Sequence, residues 1–274
     1  MLRNIRDLEG YAIHATDGDV GEVKDFYFDD EAWVIRYLVV DTGTWLSSRK
    51  VLISPIALGR PNETDRELPA SITQDQVRSS PDIDTDRPVS RRQEMYYFNH
   101  YGYPQYWGDT GLWGSNMNPV MMMPNFVSTP LVVEPRLDHP DAQAEAEQQP
   151  SEDHHLRAFN TVVGYHIHAS DGDIGHVHGM LVDEETWAIR YLVVDTSNWW
   201  LGHQVLIAPE WIETVSWSDE IVSVNLARQA VKDAPPYDPT TVVDRQHESG
   251  IWEHSGHAAE WTDEPNRVRI ASAR

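Results

Sequence analysis

The chain has 274 residues, no cysteine, and 44 acidic against 21 basic side chains, a formal charge of −23. Lack of cysteine excludes disulfides, thiol catalysis and cysteine-type zinc sites, and the acidity argues against nucleic acid as a partner. No run approaches the roughly 18 apolar residues of a membrane helix, and the charged stretch Met1–Glu9 does not read as a secretory leader.

In chain order, Tyr11–Ala15 predicts a short strand and Thr16-Asp-Gly-Asp a turn. Val20–Phe28 predicts a second strand, turning at Asp29-Asp-Glu. Trp33–Asp41 is the most apolar strand: Ile35, Tyr37 and Val39 alternate with Leu38 and Val40, so both faces should be covered. Lys50–Ser54 follows, closed by Pro55, and Thr73–Ser79 predicts a short helix with Thr73 as N-cap.

The same signals return after a constant offset of 154 residues, at Tyr165–Ala169, Ile174–Val182, Trp187–Asp195, Gln204–Ala208 and Ala227–Asp233. A hairpin is expected within Thr214–Val224. About half the positions of residues 11–58 match their partners, so the chain is a duplication of one small domain. Between the copies lie a Tyr- and Trp-rich stretch, a Met/Pro segment and a polar, acidic run ending near His155. The expected domains are 1–108, a flexible linker 109–154, a second domain 155–257 and a tail 258–274.

The order Gly10-Tyr11-x-Ile13-x-Ala15-x-Asp17-Gly18-x-x-Gly21-x-Val23, then Trp33-x-Ile35-Arg36-Tyr37-Leu38-Val39-Val40-Asp41, then Val51-Leu52-Ile53-x-Pro55, resembles the PRC-barrel family, and both copies carry it. The resemblance implies a mainly β fold: two small antiparallel PRC-type β-barrels in tandem, each with a short helix, joined by an irregular linker. It implies protein binding rather than catalysis. The family's barrel also forms the cytoplasmic domain of the photosynthetic reaction-centre H subunit and a domain of a ribosome-maturation factor. The membrane helix of the first and the partner domain of the second have no counterpart here, so neither role is carried over. The expected function is a non-enzymatic interaction or scaffolding module without a cofactor. The alternative is a peripheral accessory of a membrane complex, and the expected place is the cytoplasm or the inner-membrane surface.

Two sets of residues stand out as candidate sites. His166, His168, His176 and His178 flank the Asp171-Gly-Asp turn, and strand alternation would put all four imidazoles on one outer face, as a zinc, copper or nickel site. Ala12, His14, Glu22 and Lys24 occupy those positions in the first copy. The aromatics Tyr96, Tyr97, Tyr101, Tyr103, Tyr106 and Trp107, with Trp45, Trp199 and Trp200, are candidates for an exposed interaction face. The Tyr-rich stretch could equally wrap over its own barrel. Asp17-Gly-Asp19 and its copy lack the length of a calcium loop. Asp41 and Asp195 are read as turn caps, and Arg36 and Arg190 as members of surface or interface pairs. The two-faced apolar strands suggest that the barrels pack together as a pseudo-twofold pair.

Overall fold

The computed structural model describes residues 1–81, 89–123, 155–196, 203–241, 243 and 248–251. The fold is mainly β, with two sheets that repeat each other. The first half contributes β1 (Leu2–Asn4), β2 (Ala12–Ala15), β3 (Gly18–Asp29), β4 (Val34–Asp41), β5 (Lys50–Ile53) and β6 (Glu67–Pro69). Helices α1 (Gln74–Arg78) and α2 (Arg91–Tyr101) follow. The second half contributes β7 (Leu156–Ala158), α3 (Phe159–Val162), β8 (His166–Ala169), β9 (Gly172–Asp183), β10 (Ile189–Asp195), β11 (Gln204–Ile207), β12 (Ile212–Ser216), β13 (Ile221–Val224) and α4 (Arg228–Asp233). The predicted strands, both short helices and the hairpin lie where the alternation and turn residues put them. Each sheet also carries one parallel pair, β2 with β6 and β8 with β13.

The central strand behaves as its composition requires: Val34 to Val40 are all buried. Strict alternation fails at one point. Ile35 pairs with Phe28 and Tyr37 with Tyr27, leaving Arg36 as the extra residue of a β-bulge. Ile189 and Tyr191 flank Arg190 in the same way. Bulges re-aim side chains, and this one turns Arg36 inward beside Tyr37.

Each sheet takes in one strand from the other copy. Strand β1 pairs with β9 of the second half, Leu2 opposite Asp183 and Asn4 opposite Leu181. Strand β7 pairs with β3 of the first half, Leu156 opposite Asp29 and Ala158 opposite Tyr27. Every partner is displaced by the repeat offset, so the exchange is reciprocal. Between the two contacts Val34 bridges Ala188. There Ile35 N donates to Trp187 O at 2.9 Å and Ile189 N donates to Trp33 O at 2.7 Å. The pseudo-twofold pairing expected from the two-faced strands is therefore built by exchanged backbone as well as by packing.

Trp33 and Trp187 hold φ at 53° and 60°, a left-handed conformation that bulky residues avoid at a cost of about 1–3 kcal/mol. Their carbonyls are the two acceptors across the pseudo-axis, so the unfavourable backbone is held by the pairing of the halves. Charged side chains lock the strands in place. Arg3 spans Glu184 of the second half and Glu63 of its own. Arg157 reaches Asp30 at 2.8 Å and lies over the Trp217 ring.

Gly21 and Gly175 mark a second crossing. A Cβ at either would stand 2.0 Å from the carbonyl oxygen of Asp41 or Asp195, so only a bare backbone fits under the end of the central strand. Replacing either glycine with alanine is expected to cost about 1–3 kcal/mol, read as a lower denaturant midpoint with an unchanged slope.

Candidate functional site

The charged residues buried in the first half converge on one point. Asp29 ends β3, Arg36 is the bulge of β4, Tyr37 follows it, Glu94 lies on α2, and His155 immediately precedes the exchanged strand β7. The Glu94 carboxylate is fully buried. It accepts from Tyr37 Oη at 3.0 Å, Tyr106 Oη at 2.6 Å and Arg91 Nη1 at 3.1 Å. His155 Nε2 lies 3.0 Å from it. Asp29 accepts from Arg36 Nη2 at 3.2 Å and from the backbone N–H groups of Glu31 and Ala32. Arg36 also donates to Leu112 O, and its guanidinium lies 3.8 Å from the Tyr106 ring centre and 4.8 Å from that of Trp113. The network joins both halves, since His155 belongs to the second copy and Trp113 Nε1 donates to Thr186 O at 2.8 Å.

Burial penalises the charge on Asp29, but Arg36 and the two backbone donors outweigh it, and the acid is held below the ordinary carboxylate range. Burial also works against a charged His155, yet the hydrogen bond and charge of Glu94 prevail and its pKa is raised. Tyr37 and Tyr106 are pushed well above the ordinary phenol range by burial and by Glu94. The phenols stay protonated donors, and each carboxylate has a cation beside it. Such a set is suited to fixing positions.

A raised histidine pKa has a definite sign. The His155 contribution is fully present below the unfolded value of about 6.5 and is lost as pH rises through the folded value. Wild-type stability should therefore fall on going from about pH 6 to pH 8, and His155→Gln should flatten that slope in melts across the range.

The Tyr-rich stretch wraps its own half, which corrects the expectation of an exposed aromatic face. Tyr97, Tyr101, Tyr103 and Tyr106 are buried and Tyr96 and Trp107 half-buried. Ser90 and Gln93 form a capping box and Gly102 closes the helix at φ 71°, so residues 91–101 become a helix with one aromatic side. Tyr97 packs edge-on to Tyr37, donors and rings interleave, and Tyr101 stacks on Tyr103. Burial lifts the Tyr101 phenol to about 12. Trp45 is half-buried, its Nε1 donating to Val20 O. Trp199 and Trp200 lie outside the described residues. Part of the expected linker is folded too: Trp113 is fully buried and Leu112 and Met122 nearly so. The remainder, 124–154, lies outside the described residues.

The four histidines are not gathered as the alternation implied. His166 does face His176 across β8 and β9. A register shift follows Ile167, and His178 is itself the extra residue between the pairs Val177–Val194 and Gly179–Val193. His168 Nδ1 is 2.7 Å from Asp173 Oδ1, a pair repeated by His14 and Asp19. Among the described residues no group of three or more metal-ligating side chains forms. Asp41 caps its turn through Gly43 N, as read. Arg36 is buried and pairs with Asp29, while Arg190 stands 3.9 Å from Glu248. Glu94 escaped sequence reasoning. The signal for it was Arg91-x-x-Glu94 returning as Arg245-x-x-Glu248 inside a tail that otherwise diverges.

Residues 2–66 match the PRC-barrel domain family. That PRC-barrel segment holds β1 to β5 and the Asp29–Arg36 pair, while Glu94 and the aromatic cover lie beyond it. An uncharacterized protein of Deinococcus radiodurans is 36% identical over 110 residues, a stretch covering 35% of this chain and 39% of that protein. No helix among the described residues is long and apolar enough to cross a membrane.

Proposed function

We propose that the chain is a non-enzymatic protein-binding scaffold made of two PRC-type halves, the second a diverged copy of the first. One observation carries this reading: the reciprocal exchange of β1 and β7 fixes the halves as a single body, while the buried ionisable groups at their junction are occupied by one another. A body of that kind presents two related surfaces at a fixed spacing, which suits a partner with two sites. The described aromatic residues of the Tyr-rich stretch serve the interior, so we propose a contact surface elsewhere. Among the described residues, Val120 and Met121, 57% and 72% exposed on the turn Pro119–Met122, are an adjacent pair of large apolar side chains left outside, and flexible Met side chains favour protein contacts.

Affinity capture from the native host with wild-type protein and with Val120→Asp/Met121→Asp tests this. The reading expects a protein retained by the wild type and lost by a double variant that melts like the wild type. Retention of the same proteins by both would remove the assigned surface, and turnover of a small molecule by the purified chain would remove the scaffold reading.

A further inference from the structure

The duplication supplies an internal control for the histidines. His166 and His176 are direct partners across the antiparallel pair β8–β9. The equivalent pair in the first half is Ala12 and Glu22. Both members of one cross-strand pair are thus imidazoles in one copy and neither is in the other, on the same backbone frame. His166 is exposed and His176 half-exposed. Neither imidazole has a hydrogen-bond or ion-pair partner among the described residues, whereas that of His168 beside them is held by Asp173.

Directly opposed residues of an antiparallel pair have Cβ atoms about 4.5–5.5 Å apart and project from the same face. Two imidazoles on such a base can both reach one ion at the roughly 2.0–2.1 Å of a metal–nitrogen bond. The flanking Ile167 and Val177 are fully buried, so the strand backbones under the pair are anchored and little order has to be imposed on binding. Imidazole pairs suit copper, nickel and zinc, with Cu(II) held most tightly.

We infer that His166 and His176 form a two-histidine chelate for a divalent transition-metal ion, with water completing the coordination, and that the site is confined to the second half. It bridges neighbouring strands, so a bound ion clips β8 to β9. This inference is independent of the scaffold reading and of any partner.

The test is titration of the untagged full chain with Cu(II) and Zn(II) by calorimetry, with thermal melts in parallel. The expected result is one ion per chain, a melting temperature raised by the ion, and affinity lowered about tenfold or more by either His166→Ala or His176→Ala, with no further loss in the double variant. His14→Ala should leave binding unchanged. Ala12→His/Glu22→His should raise the stoichiometry to two. Absence of saturable binding, binding that survives the double histidine replacement, or a transplanted pair that adds no ion would each overturn the inference.

Discussion

Glu94→Ala is expected to destabilise the chain by about 3–5 kcal/mol, a large share of the roughly 5–15 kcal/mol available to a domain. The carboxylate is fully buried and sits within 3.1 Å of an arginine, a histidine and two phenols. Its removal leaves Arg91 without its buried counterion, takes from His155 the partner that raises its pKa and strands two hydroxyl donors, and unsatisfied buried groups are costlier than made bonds are favourable. The matching change in the second half, Glu248→Ala, should cost less, about 1–3 kcal/mol. That glutamate accepts from Tyr191 at 3.1 Å, and among the described residues Arg190 stands 3.9 Å from it. Denaturant unfolding of both variants reads the difference. Equal losses would contradict the ranking of the two networks.

Phe159→Ala should cost about 3–5 kcal/mol and should act on the half to which Phe159 does not belong in sequence. The residue opens α3, just past the exchanged strand, and is fully buried. Its ring meets Phe26 of the first half edge-on, with centroids 6.3 Å apart. The next residue, Asn160, donates from its backbone to Asp25 and from its side chain to Lys24 O. Truncation therefore opens a cavity under β3. Hydrogen exchange should show lost protection in Phe26 and Phe28, rather than only in the neighbouring β8. Protection lost in the second half alone would place Phe159 in its own copy's core.

Strands were legible wherever alternation met turn chemistry, as in Tyr11–Phe28 and its copy, because a curled sheet with one buried face imposes period two. Helix α2 was not legible as a helix. Tyr, Phe, Asn and His are indifferent helix formers, and the useful signal was the pair of ends, Ser90-x-x-Gln93 and Gly102. The bulge at Arg36 was equally hidden, since nothing in Ile-Arg-Tyr-Leu says that one residue will be left unpaired, and it decides that Arg36 faces inward. The strand exchange could not be read at all. Strands β3 and β9 occupy equivalent places in the repeat and share one apolar pattern, so Leu2–Asn4 has two candidate partners, and sequence pattern does not choose between them. The junction network follows from that exchange, which is why His155, expected at the end of a linker, became the histidine beside Glu94.

Cleavage between the halves tests the central claim most directly. A single protease site placed within residues 124–154 of the full chain, cut under native conditions, separates the copies covalently and leaves every exchanged contact in place. Reciprocal strand exchange predicts that both fragments stay together through size exclusion at low concentration, elute as the intact chain does, and part only in denaturant. Two fragments that separate in native buffer as independently folded domains would contradict it.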